Sequence, residues 1–260
     1  MKLLTINTHS LVEPDYDKKL EIFTDALYRI RPDIIAMQEV NQTERALVEE
    51  LGREFDVRRD NHALCVCNAL KNKGLDYKYF WLGIKSAYGI FQEGIAIITS
   101  MPVDETDCVL ISNTDDITNW KTRKALGVKV GKQWFYSIHT GRCDDTDDPF
   151  SAQWRRFREH VLDKDNVWVM GDFNCDAESD GYYEVINSGW HDTFALADER
   201  DSGVTVPGKI DGWRDTDVSS MRIDYIFTNR KRKIKKSQIV FNGINEKVVS
   251  DHYGILVEAE

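Results

Sequence analysis

The chain has 260 residues, 42% of them hydrophobic and 30% charged, which is enough apolar material for a core and too much for an intrinsically disordered chain. Its 44 acidic residues against 34 basic ones give a net charge of −10. No general positive field is therefore present to hold a polyanion, although a bound divalent cation can reverse the sign locally.

Leu3–Asn7 opens the chain as a β-type run, and Lys18–Ile30 places Leu20, Phe23, Ala26, Leu27 and Ile30 at helical spacing, with Asp15 as the expected cap. Arg31-Pro32-Asp33 stops that helix, and Ile34–Met37 is an apolar strand ending at Gln38-Glu39. A second helix is expected from about His62 to Lys73. Strands then dominate: Tyr77–Ile84, Ile95–Thr99, Val103–Ile111, Leu126–Val130 and Trp134–His139. Phe150–Leu162 reads as helix, Val167–Met170 as a buried strand running into Gly171-Asp172-Phe173-Asn174, and Ile223–Thr228 and Ile255–Val257 as late strands. The basic run Arg230–Lys236 reads as a solvated hairpin loop, with a nucleic-acid footprint as the alternative.

The five prolines are scattered, no linker or repeat interrupts the chain, and one domain over 1–260 is expected. No stretch approaches the roughly 18 apolar residues of a membrane helix, and the opening turns polar too soon for a signal peptide. A chain complete from Met1 and cytoplasmic, with no membrane partner, is the expectation; the oligomeric state is not readable. Five cysteines, an odd number without CxxC spacing, are expected to remain reduced thiols.

Polar residues recur where apolar runs end: Asn7, Glu39, His139, Asp172 with Asn174, and Asp251 with His252. Acidic and amide groups gathered at one rim would repel each other unless a cation or substrate sat among them. Asp172 and Asn174, two apart, fall on one side of a continuing strand, a pairing suited to deprotonating water and bonding a charged oxygen. An Asx-type turn is the structural alternative. Glu39 is the first choice for a hard-cation ligand, Asp224 can orient an imidazole, and Glu93 with His139 can form an acid–imidazole pair.

Taken in order, Asn7, Gln38-Glu39, Glu93-Gly94, Ser137-Ile138-His139, Gly171-Asp172-Phe173-Asn174, Arg222-Ile223-Asp224-Tyr225 and Ser250-Asp251-His252 resemble the endonuclease/exonuclease/phosphatase superfamily over nearly the whole chain. The resemblance implies a four-layer α/β sandwich of the deoxyribonuclease I-like type, two mixed sheets face to face with helices outside. It further implies a phosphoesterase needing Mg²⁺ or Mn²⁺. By similarity, Glu39 binds the metal with Asn7 and Asp251. Asp172 is the general base beside Asn174, His252 contacts the phosphate and is oriented by Asp224, and His139 is a second phosphate-facing imidazole paired with Glu93. Arg123 matches a phosphate-binding arginine. Phe91 stands where one branch of the superfamily has a tyrosine, so that hydroxyl contact is lost.

The superfamily's shared residues do not choose a substrate. The acidic segment Gly141–Asp148 opposes a long polyanion and favours a small phosphate ester over nucleic acid. The opening Leu4–Ser10, the stretch Tyr88–Gly94, Thr122-Arg123 and Val206–Trp213 are similar to bacterial maltose 6'-phosphate phosphatases. That likeness makes Trp213, Lys209 and Asp211 candidate sugar-pocket residues. The expected function is a phosphomonoesterase acting on a sugar phosphate by in-line attack of water, with no covalent intermediate. The alternatives are a metal-dependent endo- or exonuclease and a non-catalytic phosphate-ligand binding protein.

Overall fold

Runs that are apolar at every position, such as Ile34–Met37 and Val167–Met170, form strands buried on both faces. In the structure, a computed structural model describing residues 1–52, 54–208 and 220–260, these strands build two mixed sheets. The strands and helices in chain order are β1 (Lys2–Asn7), α1 (Tyr16–Ile30), β2 (Ile34–Thr43), β3 (Val48–Glu50), β4 (Val57–Arg58), α2 (His62–Asn72), β5 (Lys78–Ala87), β6 (Phe91–Thr99), β7 (Glu105–Leu110), β8 (Lys124–Val130), β9 (Gln133–His139), α3 (Phe150–His160), β10 (Val167–Asp172), α4 (Asp180–Asn187), β11 (His191–Asp192), α5 (Thr193–Leu196), β12 (Ala197–Arg200), β13 (Asp224–Thr228), β14 (Ile234–Val240) and β15 (Gly254–Ala259).

One sheet has the order β12-β14-β15-β1-β2-β6-β5 and the other β11-β13-β10-β9-β8-β7; β3 and β4 pair separately. β1 with β2, β9 with β10 and β12 with β14 are parallel, and the remaining pairs antiparallel.

Strand alternation sorts the apolar residues into three buried layers. Leu4, Ile6, Ile35 and Met37 face Phe23, Ala26 and Leu27 of α1 and Ala63, Val66 and Leu70 of α2. Their neighbours Leu3, Ile34 and Ala36 face inward and meet Val128, Phe135, Trp168 and Met170 of the opposite sheet. On the far side, Tyr136, Ile138, Val167 and Val169 pack against Trp154 and Phe157 of α3 and Val185 of α4. Three apolar layers between four layers of secondary structure give the expected four-layer sandwich.

Several expectations are corrected. Cys143 and Cys175 form a disulfide with Cα atoms 5.4 Å apart, leaving Cys65, Cys67 and Cys108 as free thiols. The basic run is not a hairpin loop: its second half enters β14, and the connection carries the chain from one sheet to the other. Three of its cations are paired on the surface, Arg230 with Asp165 and both Lys233 and Lys235 with Glu260. Asp15 occupies the N-cap of α1 in a left-handed conformation, without a side-chain capping bond. α4 escapes the apolar pattern because it spans only eight residues; Ser179 caps it by accepting from Tyr182 N. Among the described residues no helix is long and apolar enough to cross a membrane.

Candidate active site

Strand register assembles the site. Asp172, the last residue of β10, lies opposite His139 of the parallel neighbour β9 and opposite Asp224 of the antiparallel neighbour β13. Three chemically active side chains thus share one row across three adjacent strands. Gly171 permits this approach, because a Cβ there would overlap the carbonyl oxygen of Ile138.

The other sheet contributes from β1 and β2, which end side by side with Asn7 opposite Gln38. Pairing of β2 with β6 shifts between Met37 and Val40, and Glu39 sits in this bulge at φ 51°. A bulge re-aims a side chain that a regular strand would send elsewhere. Thr8 and Ser10 hold it: the Thr8 hydroxyl donates to Gln38 O (2.9 Å) and the Ser10 hydroxyl to Glu39 O (2.7 Å). His9 and Asn174 also have positive φ, 47° and 48°. Such non-glycine strain concentrates at functional sites.

Cross-sheet hydrogen bonds lock the two rims together. Gln38 Nε2 donates to Ser137 Oγ (3.0 Å) in the buried interface. Asn7 Nδ2 donates both to Glu39 Oε1 (2.9 Å) and to Asp172 Oδ2 (3.1 Å), so the two carboxylates are bridged by one amide nitrogen. Asn174 N donates to Asp172 Oδ1 (2.8 Å), and Asn174 Nδ2 to Thr140 O (3.0 Å).

His252 Nδ1 lies 2.9 Å from Asp224 Oδ2, which is fully buried, and its Nε2 lies 3.9 Å from Asp172 Oδ2. The expected Glu93–His139 pair is corrected: Glu93 Oε1 closes on Lys85 Nζ at 3.0 Å, and His139 Nε2 faces Asp172 Oδ2 at 3.6 Å. Arg123 is 7% exposed, with Nη1 donating to Trp120 O (2.9 Å) and Nε without a partner. Arg123 is thus a buried cation and not a surface arginine. Asp251 joins from the loop before β15, accepting from the Ser250 hydroxyl (3.2 Å).

The electrostatics follow from burial of many charges in one place. Burial, then Asp224, pushes the Asp172 carboxyl up to about 7. Burial opposes charge on His252, but Asp224, Asp172 and Asp251 outweigh it and raise the imidazolium to about 10. Burial, with Arg123 and Lys85 beside it, drives His139 well below its ordinary value and leaves it neutral. Glu39 is raised by burial and by Glu93.

Glu39 and Asp172, bridged by the Asn7 amide, with Asp251 lining the same cavity, offer oxygen donors of the kind that fits a small hard divalent cation. Asp172, Asp224 and His252 also form a compact buried group with ligand atoms within 4.8 Å of one another.

Asn7 and Asp224 lie behind the mouth of a cavity of about 600 Å³, which Glu39, Glu93, Arg123, His139, Asp172, Asn174, Asp251 and His252 line directly. Lys209, Asp211 and Trp213 lie outside the described residues. Lys85 and His9 were missed from sequence: a lone lysine in a strand and a lone histidine after one carry no local signal. Only register places Lys85 opposite Glu93. His9 Nδ1 lies 2.7 Å from Glu13 Oε1.

A family model described as the endonuclease/exonuclease/phosphatase family matches residues 4–252. Among solved structures, an endonuclease/exonuclease/phosphatase family protein from Leptotrichia buccalis C-1013-b is 30% identical, with a TM-score of 0.88 over 100% of this chain and 99% of that one. A mannosyl-6-phosphatase from Bacteroides thetaiotaomicron VPI-5482 is 16% identical (TM-score 0.71; 100% and 99% covered). A 3' phosphatase from Neisseria bound to a product DNA hairpin is 17% identical (TM-score 0.67; 100% and 99% covered). No curated protein matches the sequence. With the family model spanning nearly the whole chain and the site residues gathered at the rim of the paired sheets, the protein belongs to the endonuclease/exonuclease/phosphatase family.

Proposed function

We propose that this divalent-metal-dependent phosphoester hydrolase is a phosphomonoesterase using Mg²⁺ or Mn²⁺, with a sugar phosphate such as maltose 6'-phosphate as substrate. The observation that carries the reading is the row His139–Asp172–Asp224 with His252, opening into a bounded cavity whose outer wall is the acidic segment Asp144–Asp147. A small ester fits this space, whereas that wall repels a long polyanion. The likeness to a mannosyl-6-phosphatase supports the same reading. The likeness to a DNA 3' phosphatase favours a nucleic-acid end as the second reading.

In the reaction, Asp172 takes the proton from the attacking water. Its raised pKa makes it a competent base near neutrality, stronger than an ordinary carboxylate. His252, kept cationic by Asp224, donates Nε2–H to a phosphate oxygen, and neutral His139 flanks the same centre. Arg123 and Lys85 add fixed positive charge, and Asn174 is positioned beside the charge that develops on phosphorus oxygens. Glu39, Asn7 and Asp251 would hold the cation, which when bound supplies charge neutralisation at the phosphate and at the departing oxygen. Attack in line needs no covalent enzyme intermediate.

The deciding measurement is phosphate release from a panel of sugar phosphates, run beside nicked and single-stranded DNA with and without chelator. Chelator-sensitive release from the sugars is the expected outcome. Strand cleavage without free phosphate would reject the reading in favour of the nuclease.

A further inference from the structure

The catalytic groups occupy only the floor of the cavity. Its outer wall contains Trp120, which is 62% exposed although an indole gains more than most side chains from burial. An exposed aromatic standing in the wall of a polar cavity is a surface awaiting a partner.

Trp120 is held in place. Its carbonyl oxygen accepts from both floor cations, Lys85 Nζ at 3.1 Å and Arg123 Nη1 at 2.9 Å. Its loop is tied to β5 by Ser86 N donating to Ile117 O (2.7 Å). The backbone that carries the indole is therefore fixed relative to Lys85 and Arg123. Lys121 places its ammonium 5.5 Å from the indole centroid and pairs with Asp145 (3.0 Å) and Asp147 (2.7 Å), joining the aromatic to the acidic segment.

A second observation anchors the ligand's phosphate end in the same space. Arg123 is buried, lines the cavity and has Nε without a partner. An anion accepted there leaves the rest of its molecule against the outer wall. That wall offers an apolar ring face and carboxylates whose remaining lone pairs accept hydroxyl hydrogens even while paired with Arg142 and Lys121. A neutral polyhydroxylated ring satisfies both, its C–H face on the indole and its hydroxyls on the acids. A nucleotide chain satisfies the indole but meets the acids with phosphates.

We propose that Trp120 is the stacking platform for the alcohol portion of the substrate, a pyranose ring whose hydroxyls are bound by Asp144 and Asp145. This deepens the phosphomonoesterase reading and rests on it. It places the sugar contact on the loop before β8, independently of Trp213.

The test compares kcat/KM for glucose 6-phosphate with that for ethyl phosphate, which releases a primary alkoxide of the same kind but has no ring. The ratio is measured for the wild type, Trp120→Ala and Trp120→Phe. Trp120→Ala is expected to lower the ratio at least about tenfold, the change carried by KM, and Trp120→Phe to restore most of it. An active wild type whose ratio is unaltered by Trp120→Ala, including the case where both substrates suffer equally, overturns this proposal alone. A wild type that frees no phosphate from any hexose phosphate overturns the phosphomonoesterase reading, and the platform with it.

Discussion

In the proposed mechanism Asp172 is the residue on which the chemistry turns, and its environment works against its own ionisation. Replacing it by Asn keeps the size and removes the base, so turnover should fall by at least about a thousandfold while divalent-metal binding persists through Glu39, Asn7 and Asp251. The same change should stabilise the fold. A carboxyl whose folded-state pKa is raised from 3.8 to about 7 destabilises the native state increasingly as pH rises from 3.8 through 7. Above pH 7 the relief is complete and should be detectable as a higher urea midpoint for the variant. Retained activity would remove Asp172 from its role as base, and no gain in stability would show that its ionised carboxylate does not destabilise the fold.

The pH profile follows from the same pair of groups. Asp172 must be ionised and His252 protonated, so kcat/KM at limiting metal should rise through about pH 7 and fall through about pH 10. Saturating metal favours the carboxylate form and should move the acidic limb to lower pH. An acidic limb that ignores metal concentration would contradict the proposed proximity of the cation to Asp172.

At the scale of elements, strand ends deliver the site and short loops hold it. The loop after β9, which follows His139, and the loop after β10, which carries Asn174, are stapled together by the Cys143–Cys175 disulfide directly behind Asn174. Closing a chain segment of 32 residues restricts the unfolded state by about 3–4 kcal/mol in the chain-entropy account. Cys143→Ser, or reduction of the wild type, should therefore lower stability by about that amount in chemical denaturation. Equal stability with and without reductant would show that the bond makes no such contribution. Its pairing was not legible in the sequence, because five cysteines without characteristic spacing give no hint of which two meet. The strands were legible where both faces are buried, as in β1, β2 and β10. They were legible only in part where polar residues intrude: β6 begins at Phe91 rather than Ile95 because Gln92 and Glu93 hide its first turn of pleat. In β14, lysines obscure the strand.

For the whole molecule, the sequence by itself determined the four-layer architecture and the family, and it singled out Glu39, Asp172, Asn174 and His252, which the fold brings to one cavity. Alternating apolar residues dictate which faces are buried, and chemically active residues at the ends of such runs must emerge at a rim. Only the tertiary structure decided the partners. Glu93 meets Lys85 rather than His139, Arg123 is buried rather than exposed, and Trp120 stands over the same cavity that receives Asp172. These outcomes depend on strand register, on the bulge at Glu39 and on how two sheets stack. They are properties of long-range pairing, and no local stretch of chain encodes them.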